Sequence, residues 1–152
     1  MISKPERFII VAAAAEAEHG LTAFDAALLK AGLGNVNLIK LSSILPPGCK
    51  EEEYGISFPL GAFVPTAYGA ICSEKKGELI SAAVGIGFSE DSFGVIMEHS
   101  GNCGAEAARA KVEAMLREAF ANRNMALKGI KIKSVEHRVE KAAAAIAAVA
   151  LW

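Results

Sequence analysis

Two adjacent serines, Ser42 and Ser43, stand in the segment "KLSSILPPG" (40–48), between an apolar run and a double proline. A serine in a strained turn can attack the carbonyl carbon of the residue before it. Its hydroxyl oxygen then replaces the amide nitrogen, and β-elimination from the resulting ester breaks the backbone. The dehydroalanine left behind hydrolyses to a pyruvoyl group. That chemistry needs the Ser43 hydroxyl, a twisted 42–43 peptide and donors around the developing oxyanion. The segment supplies the hydroxyl, and the approach to Pro46-Pro47 offers a place for strain. Read by itself, a serine pair before two prolines is an ordinary loop.

Three other residues could serve such a site. Glu98 lies in "GVIMEHS", where strand alternation puts it on a face with Ile96 and Ser100 and turns Met97 and His99 away. A carboxyl beside apolar neighbours has a raised pKa and holds its proton near neutral pH, as a general acid must. A surface glutamate on an edge strand is the competing reading. Asp25 is either a ligand or the acid of a T-x-x-D capping box begun by Thr22. Asn37, six residues before Ser43, shares a face with it if the strand runs straight through. His99 and His137 read as surface or partnered side chains and His19 as a loop residue, with no Ser-His-Asp order. Cys49, Cys72 and Cys103 share no metal-ligand spacing. Neither "GLGNVN" nor "GIGFSE" completes a dinucleotide fingerprint, and Gly85 and Gly87 read as points of close backbone approach.

Regular elements have to position these groups. "RFIIVAAAA" (7–15) reads as a buried strand and 21–32 as a helix with Phe24, Leu28 and Ala31 inward, closed by Lys30 and Gly32. A strand is expected over 35–43 and a proline-broken loop over 44–61. Segments 62–74 and 78–88 read as a hairpin about Lys75-Lys76-Gly77, followed by a strand at 92–100. The pattern of 104–123 predicts a helix with Ala108, Val112, Met115, Leu116 and Ala119 on one face. Alternation at Ile130–Lys133 marks another strand. Propensity alone makes the alanine-rich tail helical. Strands with so few helices suggest an α/β sandwich, with no internal repeat or dividing linker.

A chain of 152 residues suits one domain, which can bury roughly 70% of its unfolded surface. Its 53% hydrophobic content exceeds the need of one small core and points to an oligomer. Lys+Arg 16 against Asp+Glu 17, without a long basic block, argues against nucleic acid or an anionic membrane as partner. No apolar stretch is long enough to span a bilayer, and an odd number of unpatterned cysteines fits the cytoplasm.

The segments "AFDAALLKAGLGNVNLIKLSSILPPG", "VPTAYGAICSEKKGELISAAVGIG" and "GVIMEHSG" closely resemble the pyruvoyl-dependent arginine decarboxylases, in order and over nearly the whole chain. The resemblance implies a single α+β domain, a layered αββα sandwich, self-cleaved between Ser42 and Ser43 into chains 1–42 and 43–152. It implies a covalent pyruvoyl cofactor made from Ser43, with no pyridoxal phosphate and no metal. It also implies decarboxylation of L-arginine to agmatine and CO2, with Ser43, Glu98 and Asn37 in catalytic roles. Glu98 is then the proton donor and Asn37 the aid to processing. Asp25 becomes the guanidinium ligand, and Leu21, Leu28, Gly34, Val36, Ser42 and Ile44 line the substrate pocket, although several could equally be core or turn. Trimers, sometimes paired into hexamers, with the pocket between subunits, are the implied assembly, and the tail becomes a strand. The alternatives are a pyruvoyl decarboxylase of another amino acid and a trimeric binding protein that never cleaves.

Overall fold

The computed structural model, which describes residues 3–152, puts the alanine-rich tail in a strand at the centre of a sheet. In chain order the elements are β1 (Arg7–Ala17), α1 (Gly20–Lys30), β2 (Asn37–Lys40), β3 (Ile44–Leu45), β4 (Lys50–Glu51) and β5 (Phe63–Ser73). β6 (Leu79–Phe88), β7 (Gly94–Gly101), α2 (Ala105–Asn122), β8 (Gly129–Arg138) and β9 (Ala142–Leu151) complete the α+β domain. One sheet has the order β2-β5-β9-β1-β4 and the other β3-β7-β6-β8. Among the described residues, no helix is long and apolar enough to cross a membrane.

β9 is buried along its whole length. It pairs antiparallel with β1 on one edge, from Phe8↔Leu151 to Ala17↔Ala142, and with β5 on the other. Its odd-numbered residues from Ala143 to Leu151 share a core with Ile80, Val84, Ile86 and Ile96 of the second sheet. The even-numbered Ala144, Ile146, Ala148 and Ala150 pack toward α1. With strands on both edges and side chains on both faces, tertiary contacts override alanine's weak preference for helix.

Four expectations change in the folded chain. First, β5 and β6 do not form a hairpin. Gly77 (φ +86°) turns the chain from the first sheet into the second, and β9 takes the β5 edge that a hairpin would use. Second, the strand expected over 35–43 stops at Lys40. Third, the loop over 44–61 contains β3 and β4, which pair with β7 and β1 respectively. Fourth, Thr22 is not the helix cap. His19 precedes α1, and its N–H donates to Thr22 Oγ1 at 3.3 Å, so Asp25 lies beyond the first turn and has no capping duty.

Both helices take a carboxylate from elsewhere in the fold at their N-termini. Gly20 N–H donates to Glu74 at 2.9 Å and Ala105 N–H donates to Glu136 at 2.8 Å, which satisfies free amides and the positive end of each dipole. The inward face of α1 is Ala23, Ala27 and Ala31, with Phe24 and Leu28 at its margins rather than at its centre. Small side chains on both surfaces let the helix sit close over β9. Gly32 (φ +76°) ends α1 as the pattern predicts. α2 buries Ala108, Val112, Leu116, Ala119 and Phe120, while Met115 is only partly covered. It lies directly on Gly85 and Gly87, where a Cβ would come within 2.7 Å of Val112 and 2.6 Å of Phe120.

Candidate active site

The Ser42–Ser43 peptide spans the gap between the two sheets. On one side, Leu41 N–H donates to Thr66 O of β5 at 3.0 Å, the last rung tying this segment to the first sheet. On the other, Ile96 N–H of β7 donates to Ser43 O at 2.7 Å, and Ile44 pairs with Val95 in the second sheet. Only Ser42 lies between these two anchors. Backbone held at both ends has little freedom to relax around the bond it flanks. The Ser43 hydroxyl donates to the Ser42 carbonyl oxygen, so the oxygen that could attack lies beside the carbonyl group it would attack.

Glu98 lies two residues beyond Ile96 on β7, paired with Val84 of β6. As alternation predicts, it faces the first sheet together with Ile96 and Ser100, whose hydroxyl donates to Ala70 O at 3.0 Å. Met97, on the other face, joins the core beneath α2. The Glu98 side chain rests on Gly69 of β5. A Cβ there would stand 3.4 Å from both Glu98 Cβ and Cγ, so the absence of a side chain lets the carboxyl arm lie along the strand. Burial pushes the Glu98 carboxyl above the usual carboxylate range, and the positive charge of Lys40 pulls in the opposite direction. The geometry yields a partly buried acid able to hold a proton on the strand whose Ile96 anchors Ser43.

Lys40 lies at the end of β2 beside the serine pair, a placement that spacing does not mark. Its Nζ donates to Tyr68 O at 3.1 Å and lies 4.6 Å from the centre of the Tyr68 ring. A lysine at the end of an exposed edge strand reads as solubilising from sequence. Only the pairing of β2 with β5 brings it to Tyr68.

The remaining candidates divide into two further groups. Asn37 begins β2, with its side chain donating to Gly61 O at 3.0 Å. Because β2 stops at Lys40, alternation does not carry Asn37 onto the face of Ser43. Gly34 and Val36 border a cleft with Leu29 and Phe58 at the end of α1. At Gly34 a Cβ would come within 2.8 Å of the Leu29 Cα, so packing alone already requires glycine there. Asp25 is exposed on α1, Leu21 is 78% exposed and Leu28 partly covered. Ile44 is 40% exposed beside the serine pair. The structure thus gathers Ser42, Ser43, Ile44 and Glu98 at the crossing between sheets and leaves Asp25 and Leu21 on an outer helix. Among the described residues, no hydrogen bond or ion pair joins these two groups, and no cluster of His, Cys, Asp or Glu is placed to hold a metal ion.

Comparisons with known proteins converge on one family. The family model described as pyruvoyl-dependent arginine decarboxylase (PvlArgDC) matches residues 7–152. A protein of that name from Methanocaldococcus jannaschii is 45% identical over 150 residues, covering 97% of this chain and 90% of its own. Its namesake from Pyrococcus furiosus is 48% identical over 151 residues, covering 97% and 96% respectively. Another, from Methanococcus maripaludis, is 38% identical over 151 residues, covering 97% and 91%. With a serine pair held between two sheets, a protonatable glutamate on the strand that anchors it and likeness over nearly its full length, this chain belongs to the pyruvoyl-dependent arginine decarboxylase family.

Proposed function

We propose that the chain cleaves itself between Ser42 and Ser43 and then decarboxylates L-arginine to agmatine and CO2. The observation that carries this reading is the placement of the Ser43 hydroxyl beside the Ser42 carbonyl, on a peptide anchored to a different sheet at each end. In the cleavage, Ser43 Oγ bonds to the Ser42 carbonyl carbon and the C–N bond breaks, with the hydroxyl proton ending on the nitrogen. Loss of the Ser43 α-proton then expels the Ser42 carboxylate. Water replaces the nitrogen, ammonia leaves, and a keto group opens the chain 43–152. Asn37, whose amide stands at the head of β2, is the proposed aid to this processing.

The pyruvoyl group supplies a carbonyl that takes up the substrate amine and an adjoining amide that accepts the electrons released with CO2. Glu98 holds the proton that the substrate α-carbon requires, because burial keeps its carboxyl protonated to higher pH than an exposed one. Ile44, Gly34, Val36, Leu28 and Leu21 offer apolar lining along the substrate, and Ser42 closes its end. Asp25 is the partner for the guanidinium, which a carboxylate can meet through paired hydrogen bonds.

Asp25 lies on an outer helix, so this arrangement calls for a neighbouring copy that brings it to Ser43. Exposed Leu21, Leu60 and Phe63 and the uncovered β2 edge give such a copy apolar surface and strand backbone to meet. A homotrimer, alone or paired into a hexamer, is the assembly we propose. The three separate cores, one between the sheets and one beneath each helix, support the layered αββα arrangement. Free Cys49, Cys72 and Cys103 suit a reducing compartment such as the cytoplasm.

Intact mass combined with CO2 release from arginine tests the central claim. Active protein should consist of two chains divided after Ser42, the larger without a free amine, and borohydride should abolish its activity. A single uncleaved mass from active protein would overturn it.

A further inference from the structure

The hydrogen-bond series between β2 and β5 breaks at an informative point. Asn37 N–H donates to Ala62 O, and two rungs later Leu41 N–H donates to Thr66 O. A parallel ladder advances by two residues on each strand, so the next rung would join Ser43 N–H to Tyr68 O. That rung is absent. Tyr68 O instead accepts from Lys40 Nζ at 3.1 Å, with the ammonium also over the Tyr68 ring. The second sheet leaves the same amide unengaged. A closely bonded antiparallel pair exchanges two hydrogen bonds, but opposite Ile96 only the Ser43 carbonyl is used. Among the described residues, Ser43 N–H has no partner in either sheet.

We propose that Lys40 is a positioning residue for self-cleavage: by occupying the Tyr68 carbonyl it keeps the Ser43 amide out of the β5 ladder. The inference rests on the reading that the Ser42–Ser43 bond is cut. In that reaction the Ser43 nitrogen is the leaving group. It becomes pyramidal and takes the proton of its own hydroxyl as the C–N bond breaks. An amide locked into a rung resists both changes, and extension of β2 by two residues would draw Ser43 from β7 back toward the first sheet. Lys40 caps the acceptor that would reward this extension. An unbranched tail without a donor, such as methionine, leaves the Tyr68 carbonyl open to Ser43.

The test follows freshly translated chain by intact mass in the wild type and in the Lys40→Met and Lys40→Arg variants. Lys40→Met should lengthen the lifetime of the uncleaved chain by about tenfold, the effect of losing one hydrogen bond's worth of positioning. Lys40→Arg, which keeps a charged donor, should restore most of the rate. Hydroxylamine, which cuts esters, should release the two chains readily from the wild type and slowly from Lys40→Met, locating the defect in the acyl shift. Wild-type cleavage with an unchanged rate in Lys40→Met, or equal slowing in Lys40→Arg, overturns the role of Lys40. Failure of the wild type to cleave overturns the underlying reading instead. A measurement independent of folding defects in Lys40 variants uses Ser43→Ala, which cannot cleave. Its amide at position 43 should exchange hydrogen at a loop-like rate, and strong protection there would also refute the proposal.

Discussion

Replacing Glu98 by glutamine should separate activity from stability. The substitution keeps the size and the contact with Gly69 but removes the acidic proton. A positioned general acid contributes about 10²–10⁴-fold, or roughly 3–5 kcal/mol of barrier, so kcat should fall by that factor while KM for arginine changes little. Stability should move the other way. Burial raises the folded-state pKa of Glu98 above the ordinary 4.5, and Lys40 only partly offsets this. For an acid with a raised folded pKa, the folded chain binds more protons than the unfolded chain between those two values. Stability therefore falls as pH rises through that window, and the loss persists above it. Each unit of difference corresponds to about 1.4 kcal/mol. Glu98→Gln should accordingly be as stable as the wild type near pH 4 and more stable at pH 7 and above. Urea titrations across this range, alongside steady-state kinetics on fully cleaved protein, make the comparison. Retention of more than a tenth of wild-type kcat would refute the proton-donor role. A destabilisation at neutral pH that disappears on acidification would mean that Glu98 is an ionised, paired carboxylate, and the electrostatic reasoning would fail with it.

Other consequences are equally specific. Asp25→Asn should raise KM for arginine by about tenfold or more through loss of a charge-assisted pair, while leaving cleavage after Ser42 unchanged, as arginine kinetics and intact mass will show. Gly85→Ala should lower stability by about 1–3 kcal/mol, because the new Cβ meets Val112 Cγ1 at 2.7 Å with strands fixed on both sides of β6; chemical denaturation reads it directly. For Glu16, burial pushes the carboxyl up, but bonds from Glu140 N–H, His137 and Lys141 N–H outweigh it and hold the pKa below 4.5. Its contribution is present above that value and lost as pH falls through the folded pKa, so Glu16→Gln should cost roughly 1–2 kcal/mol at pH 7 and flatten the acid limb of the stability curve.

Local pattern and long-range pairing divide this protein between them. The end of α1 at Gly32, the inward stripe of α2 and the alternation that aims Glu98 opposite to Met97 depend on residues a few positions apart, and they are legible as such. So is the serine pair, although residue type alone reads it as a loop and the resemblance is what gives it a chemical role. Asp25 shows where this reasoning stops. Its T-x-x-D spacing is right for a cap, yet the distant Glu74 carboxylate draws the helix start back to Gly20 and leaves Asp25 free. The segments 62–74 and 78–88 likewise have every local mark of a hairpin. Only competition from β9 for the β5 edge separates them, and a window of sequence contains no record of that competitor.

By itself, the amino-acid sequence determined the serine pair, the face on which Glu98 lies and most of the elements that carry them. The tertiary structure decided that the chain changes sheets between Leu41 and Ser43, that Lys40 rather than Ser43 takes the Tyr68 carbonyl, and that Asp25 lies far out on α1. The reason is physical. Side-chain chemistry and periodicity are properties of neighbouring residues, whereas the partner of a strand edge is settled by the burial of surfaces from opposite ends of the chain.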